Sequence, residues 1–363
     1  MGKRNSKKHD LTTFEGRMQP AEEQWLIRQS HPQIDRHEYF NLRIAKQGYH
    51  KAGAHSAAKM CKYAKDSILK KGACYKNKFY GISSHRCLQC SPVLQFCNLS
   101  CKFCWRLIPE VKEGWLKMPP SFEWDSPEFI ADALIAEQKR IMSGFLGNEK
   151  ADASLAKEAM EPNQVALSLI GEPAMYPHLG KLLEIFHKKK MTTFLVTNGT
   201  FPKALERLKP LPTQLYISLI APDEKTHAYV AQQSENAEKL IWKNYLSSLD
   251  FLKKAGEKTR TVLRMTLTRG LNDNNLPGYA ELIKRAMPHY VEVKSMVYVG
   301  GARNSSRGLQ LSDMLSVPEI EAIAEQLSDL TGYIVVDTHA PSRVTLLARD
   351  KNCAAKRFLC KTK

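Results

Sequence analysis

The stretch Phe96–Arg106, FCNLSCKFCWR, sets Cys97, Cys101 and Cys104 at a CxxxCxxC spacing. Three thiolates this close converge on one metal centre. Four thiolates saturate a cubane [4Fe–4S] cluster, whereas three leave one iron with an open position. The protein's part at such a centre is to bind, orient and shield. Structural zinc favours four ligands, often as paired CxxC knuckles, and a three-residue gap followed by a two-residue gap is unusual for it. The chain holds nine cysteines, and its charged start, MGKRNSKKHD, leads into no apolar stretch. That pattern argues against a disulfide framework and for metal chemistry in a reducing, cytoplasmic compartment. No apolar run approaches the roughly 18 residues of a membrane span.

Beyond these cysteines, β-rich runs alternate with helical ones. Strands are expected at Val93–Phe96, 165–171, 192–199, 214–222, 259–270 and 290–300. Helices are expected from Ser126, over 178–190, from 202, and over 236–254, 275–286 and 318–328. Two further strands follow at 333–339 and 344–349. At Ser126, Ser-Pro-Glu supplies an N-cap, a first-turn proline and an acid at the helix N-terminus. This alternation implies βαβ units and a parallel sheet. Loops 107–125 and 144–163 are long and polar or proline-containing, and so candidates for substrate contact. The cysteine spacing, with Phe103 before the last thiol, resembles the signature of the radical SAM superfamily. That resemblance implies that S-adenosylmethionine chelates the open iron and is split to a 5′-deoxyadenosyl radical. It also implies a partial (βα)6 barrel. The expected division is a mobile basic arm (1–20), a helical, cysteine-bearing extension (21–92), the barrel (93–350) and a tail (351–363).

Ligands of parallel α/β folds bind at the carboxyl ends of strands. Gly171-Glu172-Pro173 ends the second expected strand and resembles the superfamily's Gly-Gly-Glu element, which meets the SAM amino group. It equally suits a strand-terminating turn. Thr197-Asn198-Gly199 ends the third, where the Asn198 amide would hold the carboxylate or ribose of SAM or simply make an Asn-Gly turn. Ser218 lies in the fourth strand. Arg264, in the fifth, would pair with a carboxylate or anchor a buried carbonyl. Gly300-Gly301 ends the sixth, where adenine would approach the backbone.

Cys61, Cys74 and Cys87 are spaced 13 and 13 residues apart, a weak metal motif alone. The stretches GAHSAAKMC, ACYKNKFYGISSHRCLQ, FCNLSCKFCWR, SLIGEPAMYPHL, LVTNGT, QLYISLIAPDE and HAPSRVTLLARD, in this order, resemble the tRNA 4-demethylwyosine synthase family over residues 40 to 350. The resemblance implies a second [4Fe–4S] cluster on Cys61, Cys74 and Cys87, with pyruvate at its open iron. It implies a Schiff base between pyruvate and Lys76; Lys78 is a close competitor. Cys90 would close the second cluster if it were a fourth ligand, whereas Cys353 and Cys360 are incidental. The implied reaction condenses N1-methylguanosine, beside the anticodon of phenylalanine tRNA, with pyruvate. The first 60 residues show no strand–Gly-rich-loop–helix pattern. The expected form is therefore the single-domain archaeal type, a monomer served by an external electron donor.

The formal net charge of +17, with runs at Lys7–Lys8, Lys70–Lys71, Lys188–Lys190 and Lys253–Lys254, suits a phosphate-rich partner. Trp105, Trp115 and Trp124 are candidates for stacking on bases, though tryptophan more often packs in cores. Two other functions compete: a radical SAM activase of a protein partner, and a zinc-stabilised RNA-binding protein. The activase leaves the 13–13 cysteines and the charge unexplained. The zinc protein leaves the strand-end elements unexplained.

Overall fold

A computed structural model describes residues 43–106, 122–233 and 237–359. The expected arm, the loop 107–121, Trp115 and Cys360 lie outside the described residues. Ten strands form one sheet in the order β1-β2-β3-β4-β5-β6-β7-β8-β10-β9. They are β1 (Tyr49–Lys51), β2 (Ala57–Lys59), β3 (Cys87–Ser91), β4 (Gln164–Leu167), β5 (Thr192–Thr197), β6 (Gln214–Leu219), β7 (Arg260–Leu267), β8 (Tyr290–Ser295), β9 (Ile334–His339) and β10 (Val344–Ala348). Strands β3 to β8 pair in parallel, which is the six-stranded core the sequence predicts. Antiparallel strands flank it: β1 and β2 on one side, β10 and β9 on the other.

The first parallel strand is not Val93–Phe96 but Cys87–Ser91. Pro92 has no N–H to continue the ladder, and the Val93 N–H bonds the Ser91 hydroxyl instead. Val93–Phe96 becomes the loop that carries the chain to the first cysteine of CxxxCxxC. The extension is not wholly helical either, since β1 and β2 join the sheet. Its helices are α1 (Lys62–Ile68) and α2 (Tyr75–Tyr80). Within 144–163, expected as a loop, Asp152 caps the short helix α3' of Ala153–Ala159.

Most of the remaining helices form the outer layer: Pro127–Ser143, Leu179–Lys188, Pro202–Glu206, Glu238–Ala255, Leu276–Ala286 and Val317–Thr331, whereas Glu224–Ala231 packs with the cysteine loop and Lys351–Ala355 with α2 on the other face. Ser126 caps the first of these through the Phe129 N–H, as its sequence predicts. Side chains alternate across each strand. Leu215, Ile217 and Leu219 of β6, Leu263 and Met265 of β7, and Val291 and Val293 of β8 join the core under the outer helices. Their neighbours Tyr216, Val262 and Tyr290 point to the other face, where Tyr75, Phe79 and Tyr80 of α2 pack on them. Both faces of the parallel strands are thus buried, one by the outer helices and one by α2. Each of these aromatics contributes about 1.5–3 kcal/mol by leaving water.

Charge enters this inner face. Glu292 on β8 has no exposed side-chain surface and pairs with Arg264 Nε on β7 at 2.8 Å. Tyr80 Oη (2.8 Å) and Tyr75 Oη (3.2 Å) also donate to it. Glu292→Ala is expected to cost about 3–5 kcal/mol, because it leaves a buried guanidinium unpaired. Denaturant unfolding of the variant measures this.

Candidate functional site

Two groups of thiols stand apart in the fold, one on the loop beyond the carboxyl end of β3 and one whose Cys74 caps α2 and whose Cys87 opens β3 at its amino end. The first is the CxxxCxxC trio on the loop after β3. Burial and the neighbouring carboxylate and thiols push Cys97 well above the ordinary thiol range, and burial raises Cys101 to about 12. A thiol so disfavoured as a free anion ionises when a metal takes the proton's place. The second group is Cys61, Cys74 and Cys87. Burial lifts Cys74 and Cys87 to about 12, and each also feels the charge of Cys61. Both donor sets therefore fit soft, thiolate-ligated iron–sulfur centres. Among the described residues, no three His, Cys, Asp or Glu side chains are gathered tightly enough for a single metal ion.

Cys90 belongs to neither group. It lies three residues after Cys87 on β3, an odd step that turns it to the opposite face. There it is buried among the apolar residues under the outer helices. Cys353 is buried beneath β10.

The cluster loop is held by backbone and polar contacts rather than by regular structure. Gly171 has φ +73° and lies against the carbonyls of Val93 and Phe96; a Cβ there would collide with Val93 O. Gly171→Ala is expected to lose about 3 kcal/mol and to lower iron loading, because the strained glycine lets the loop pass. Thermal unfolding and iron analysis check it. The Glu172 N–H donates to Phe96 O at 2.8 Å. The Glu172 carboxylate is buried and accepts from the Ala174 N–H, Thr197 Oγ1 and the Asn198 N–H at 2.6–2.9 Å. Burial raises its pKa to about 7, against the lowering by these donors. The Glu172 carboxylate therefore ties the segment after β4 to Thr197 and Asn198 at the end of β5. Asn198 donates one amide N–H to Asn98 Oδ1 and accepts twice from Thr200, while Asn98 donates to Thr200 Oγ1. Of the Asn198 amide, one N–H stays outside these bonds. Arg307 reaches the loop from the other side, donating to the carbonyls of Cys101, Lys102 and Cys104. Gly301 donates its N–H to Trp105 O at 2.9 Å.

Around the second group lies a buried set of ionisable residues. Cys74 Sγ accepts from the Lys76 N–H at the start of α2. Lys76 is 7% exposed. Its ammonium lies 4.9 Å from the Phe194 ring and 5.2 Å from the Tyr216 ring. No hydrogen bond engages Nζ among the described residues. Burial, then the Arg264 charge, push its pKa down. Burial works against the Arg264 charge, but Glu292 and the neighbouring tyrosines outweigh it and drive that pKa well up. Arg264 thus stands with Lys76 and Glu292, and its guanidinium also donates to Tyr75 Oη at 2.6 Å. Ser218 is opposite Arg264 in the β6–β7 register. Lys294 on β8 donates to Ser342 O at 2.6 Å, and burial lowers it to about 8. Lys78 is different: it is 45% exposed and ion-paired with Asp337 at 2.8 Å.

Between the two thiol groups stands Arg106, 7% exposed, with its guanidinium 3.3 Å from the Trp105 ring centre and donating to Tyr49 Oη. It feels the charge of both Cys104 and Cys61. Trp124 packs with His55, Phe122, Phe96 and Tyr176 and is core. A cavity of about 1060 Å³, lined by Lys209, Lys254, Lys258, Arg260 and His289 among others, lies at the amino ends of the strands and holds none of this chemistry.

Sequence reasoning passed over Asn98, Arg307, Glu292 and Lys294. A signal for the last two was present: YVEVKS sets two ionisable residues on one face of a strand that is otherwise apolar. Asn98 and Arg307 lie in irregular segments, where no periodicity marks them.

A parallel sheet whose first core strand runs into a loop bearing CxxxCxxC defines a radical SAM enzyme, and the family model "Radical SAM superfamily" matches residues 91–283. A second model, "Wyosine base formation", matches residues 285–349. The S-adenosyl-L-methionine-dependent tRNA 4-demethylwyosine synthase of Pyrococcus abyssi is 42% identical over 319 residues, covering 86% of this chain and 89% of that protein. That of Methanocaldococcus jannaschii is 40% identical, covering 85% and 94%. A solved structure of TYW1 with a lysine–pyruvate adduct bound shares 38% identity at a TM-score of 0.75, covering 86% of this chain and 96% of that one. The chain belongs to the tRNA 4-demethylwyosine synthases, radical SAM enzymes of wyosine formation. Membership of this family brings S-adenosylmethionine and a [4Fe–4S] cluster. No described helix is long and apolar enough to cross a membrane.

Proposed function

We propose that the chain joins N1-methylguanosine of phenylalanine tRNA to pyruvate, forming the tricyclic base 4-demethylwyosine. Two [4Fe–4S] clusters serve it, one on Cys97, Cys101 and Cys104 with SAM, the other on Cys61, Cys74 and Cys87. When bound, the first cluster and SAM supply the 5′-deoxyadenosyl radical that takes a hydrogen atom from the N-methyl group. The chain's own residues do the rest. Gly171, the Glu172–Thr197–Asn198 tie and Arg307 hold the cluster loop, and Gly171 to Pro173, Asn198 and Ser218 border the SAM pocket. Lys76, its pKa lowered by burial and by Arg264, attacks the pyruvate carbonyl as a neutral amine, and water leaves as the Schiff base forms. The cations Arg264 and Lys294 offer the pyruvate carboxylate a favourable field. The methyl carbon radical then adds to the imine carbon. The bond to the carboxyl group breaks, and the carboxyl leaves as formate after taking one electron from the external donor and a proton. The exocyclic amine of the base displaces the Lys76 amine from the imine carbon as the ring closes.

The observation that carries this reading is the buried, unengaged Lys76 amine beside the second thiol group. The lysine–pyruvate adduct of the related structure supports it. The enzyme works as a cytoplasmic monomer with an external electron donor. An anaerobic incubation with SAM, pyruvate, reductant and N1-methylated tRNA, read by nucleoside mass spectrometry, tests it. The tricyclic nucleoside is expected with pyruvate. Its formation without pyruvate, or its absence with both clusters loaded, overturns the reading.

A further inference from the structure

Three aromatic side chains meet cations around the rim of the cluster loop. Lys102 Nζ lies 4.1 Å from the Tyr229 ring centre, the Arg106 guanidinium 3.3 Å from Trp105, and Arg303 6.0 Å from Tyr298. Tyr229 is 60% exposed and Trp105 39%, which is unusual for rings of this size. These pairs are not scattered. The loop's Ser100 and Lys102 N–H groups bond the carbonyls of Ala231 and Val230, which fixes Tyr229 beside it. Gly301 bonds Trp105 O and Arg307 bonds the loop carbonyls, which fixes the Tyr298–Arg303 segment on the other side. Val297 and Val299 are exposed within the same segment.

We propose that this rim is the docking surface for the unpaired nucleotides of an RNA loop, with Tyr229, Trp105 and Tyr298 as stacking platforms and Lys102 and Arg303 as phosphate partners. The inference rests on the tRNA-modifying reading and says which residues grip the RNA. Single-stranded nucleic acid is held by aromatic faces interleaved with cations, and every base offers a face whatever its identity. A protein partner would call for a contiguous apolar patch, whereas here each exposed ring carries a cation. The net charge of +17 complements a polyanion. A base that must reach the cluster has to cross this rim, so residues that stack its neighbours would also steady it for the reaction.

The test is equilibrium binding of an N1-methylated anticodon stem-loop to the anaerobically reconstituted enzyme over a series of salt concentrations. Tyr229→Ala is expected to weaken binding roughly tenfold with an unchanged salt slope, and Tyr229→Phe to bind as the parent does. Lys102→Gln is expected to lower the log–log salt slope by about 0.7. Leu330→Ala removes an exposed apolar side chain near the end of the helix Val317–Thr331, away from the rim, and is expected to have no effect. Equal iron content across the set shows that the folds are intact. If the parent binds and Tyr229→Ala binds equally well, the rim assignment fails while the tRNA-modifying reading stands. If the loaded parent binds no stem-loop at all, both fail.

Discussion

Cys97→Ala is expected to bring 5′-deoxyadenosine formation to background and to halve bound iron, from about eight atoms per chain to about four. Each thiolate of the CxxxCxxC trio would hold one iron of the cluster, with no neighbouring thiol placed to replace it. Cys97 is half-buried, and its loop is pinned on both sides by Gly171 and Arg307. Cys61→Ala should halve the iron in the same way but leave SAM cleavage running, now uncoupled from product. Cys90→Ala should leave the iron count intact, because that thiol lies on the opposite face of β3 in the apolar core. Iron and sulfide analysis with chromatographic assay of 5′-deoxyadenosine separates the three. Iron that stays at the parental level in both Cys97→Ala and Cys61→Ala would contradict the assignment of the two trios.

The second large effect is at Lys76. Lys76→Arg keeps a cation above Phe194 and Tyr216 but cannot form an imine. It is expected to lose the pyruvate adduct trapped by borohydride entirely, with product falling to background while SAM cleavage persists. Intact-protein mass spectrometry reads the adduct. Lys78→Ala removes a half-exposed pair with Asp337, worth less than about 1 kcal/mol, and a hydrogen bond to Thr338 O, and should retain the adduct. Lys294 is the informative control, since burial brings it too toward a neutral amine. An adduct that survives Lys76→Arg and vanishes in Lys294→Arg would move the Schiff base to β8.

The parallel core was legible in the sequence because apolar strands alternate with capped helices. β5 to β8 lie inside their expected runs, while β4 begins one residue before its run and stops four short of its end. The first strand was misplaced because Val93–Phe96 is as apolar as a strand, and only Pro92 marks that the ladder has ended. The antiparallel strands β1 and β2 were missed because three-residue strands carry too little periodicity to read. Among the site residues, the cysteines and Lys76 were marked by spacing and by the ordered motifs. Arg264 was found, but its partner was not, since Glu292 lies 28 residues away and meets it only when β7 and β8 pair. Gly171-Glu172-Pro173 was expected to meet the SAM amino group or to end the strand in a turn, and Asn198 to hold SAM through its amide or to make an Asn-Gly turn, which left open where the Glu172 and Asn198 side chains go. The fold spends most of their hydrogen-bonding capacity on each other and on the cluster loop.

The central claim is that three thiolates leave one iron corner open to SAM. The most direct measurement is 5′-deoxyadenosine formed from SAM by the anaerobically reconstituted, fully iron-loaded protein under strong reductant, before any tRNA or pyruvate is added. The account predicts 5′-deoxyadenosine together with methionine in equal amounts, lost on Cys97→Ala. No cleavage by protein carrying its full complement of iron would contradict it.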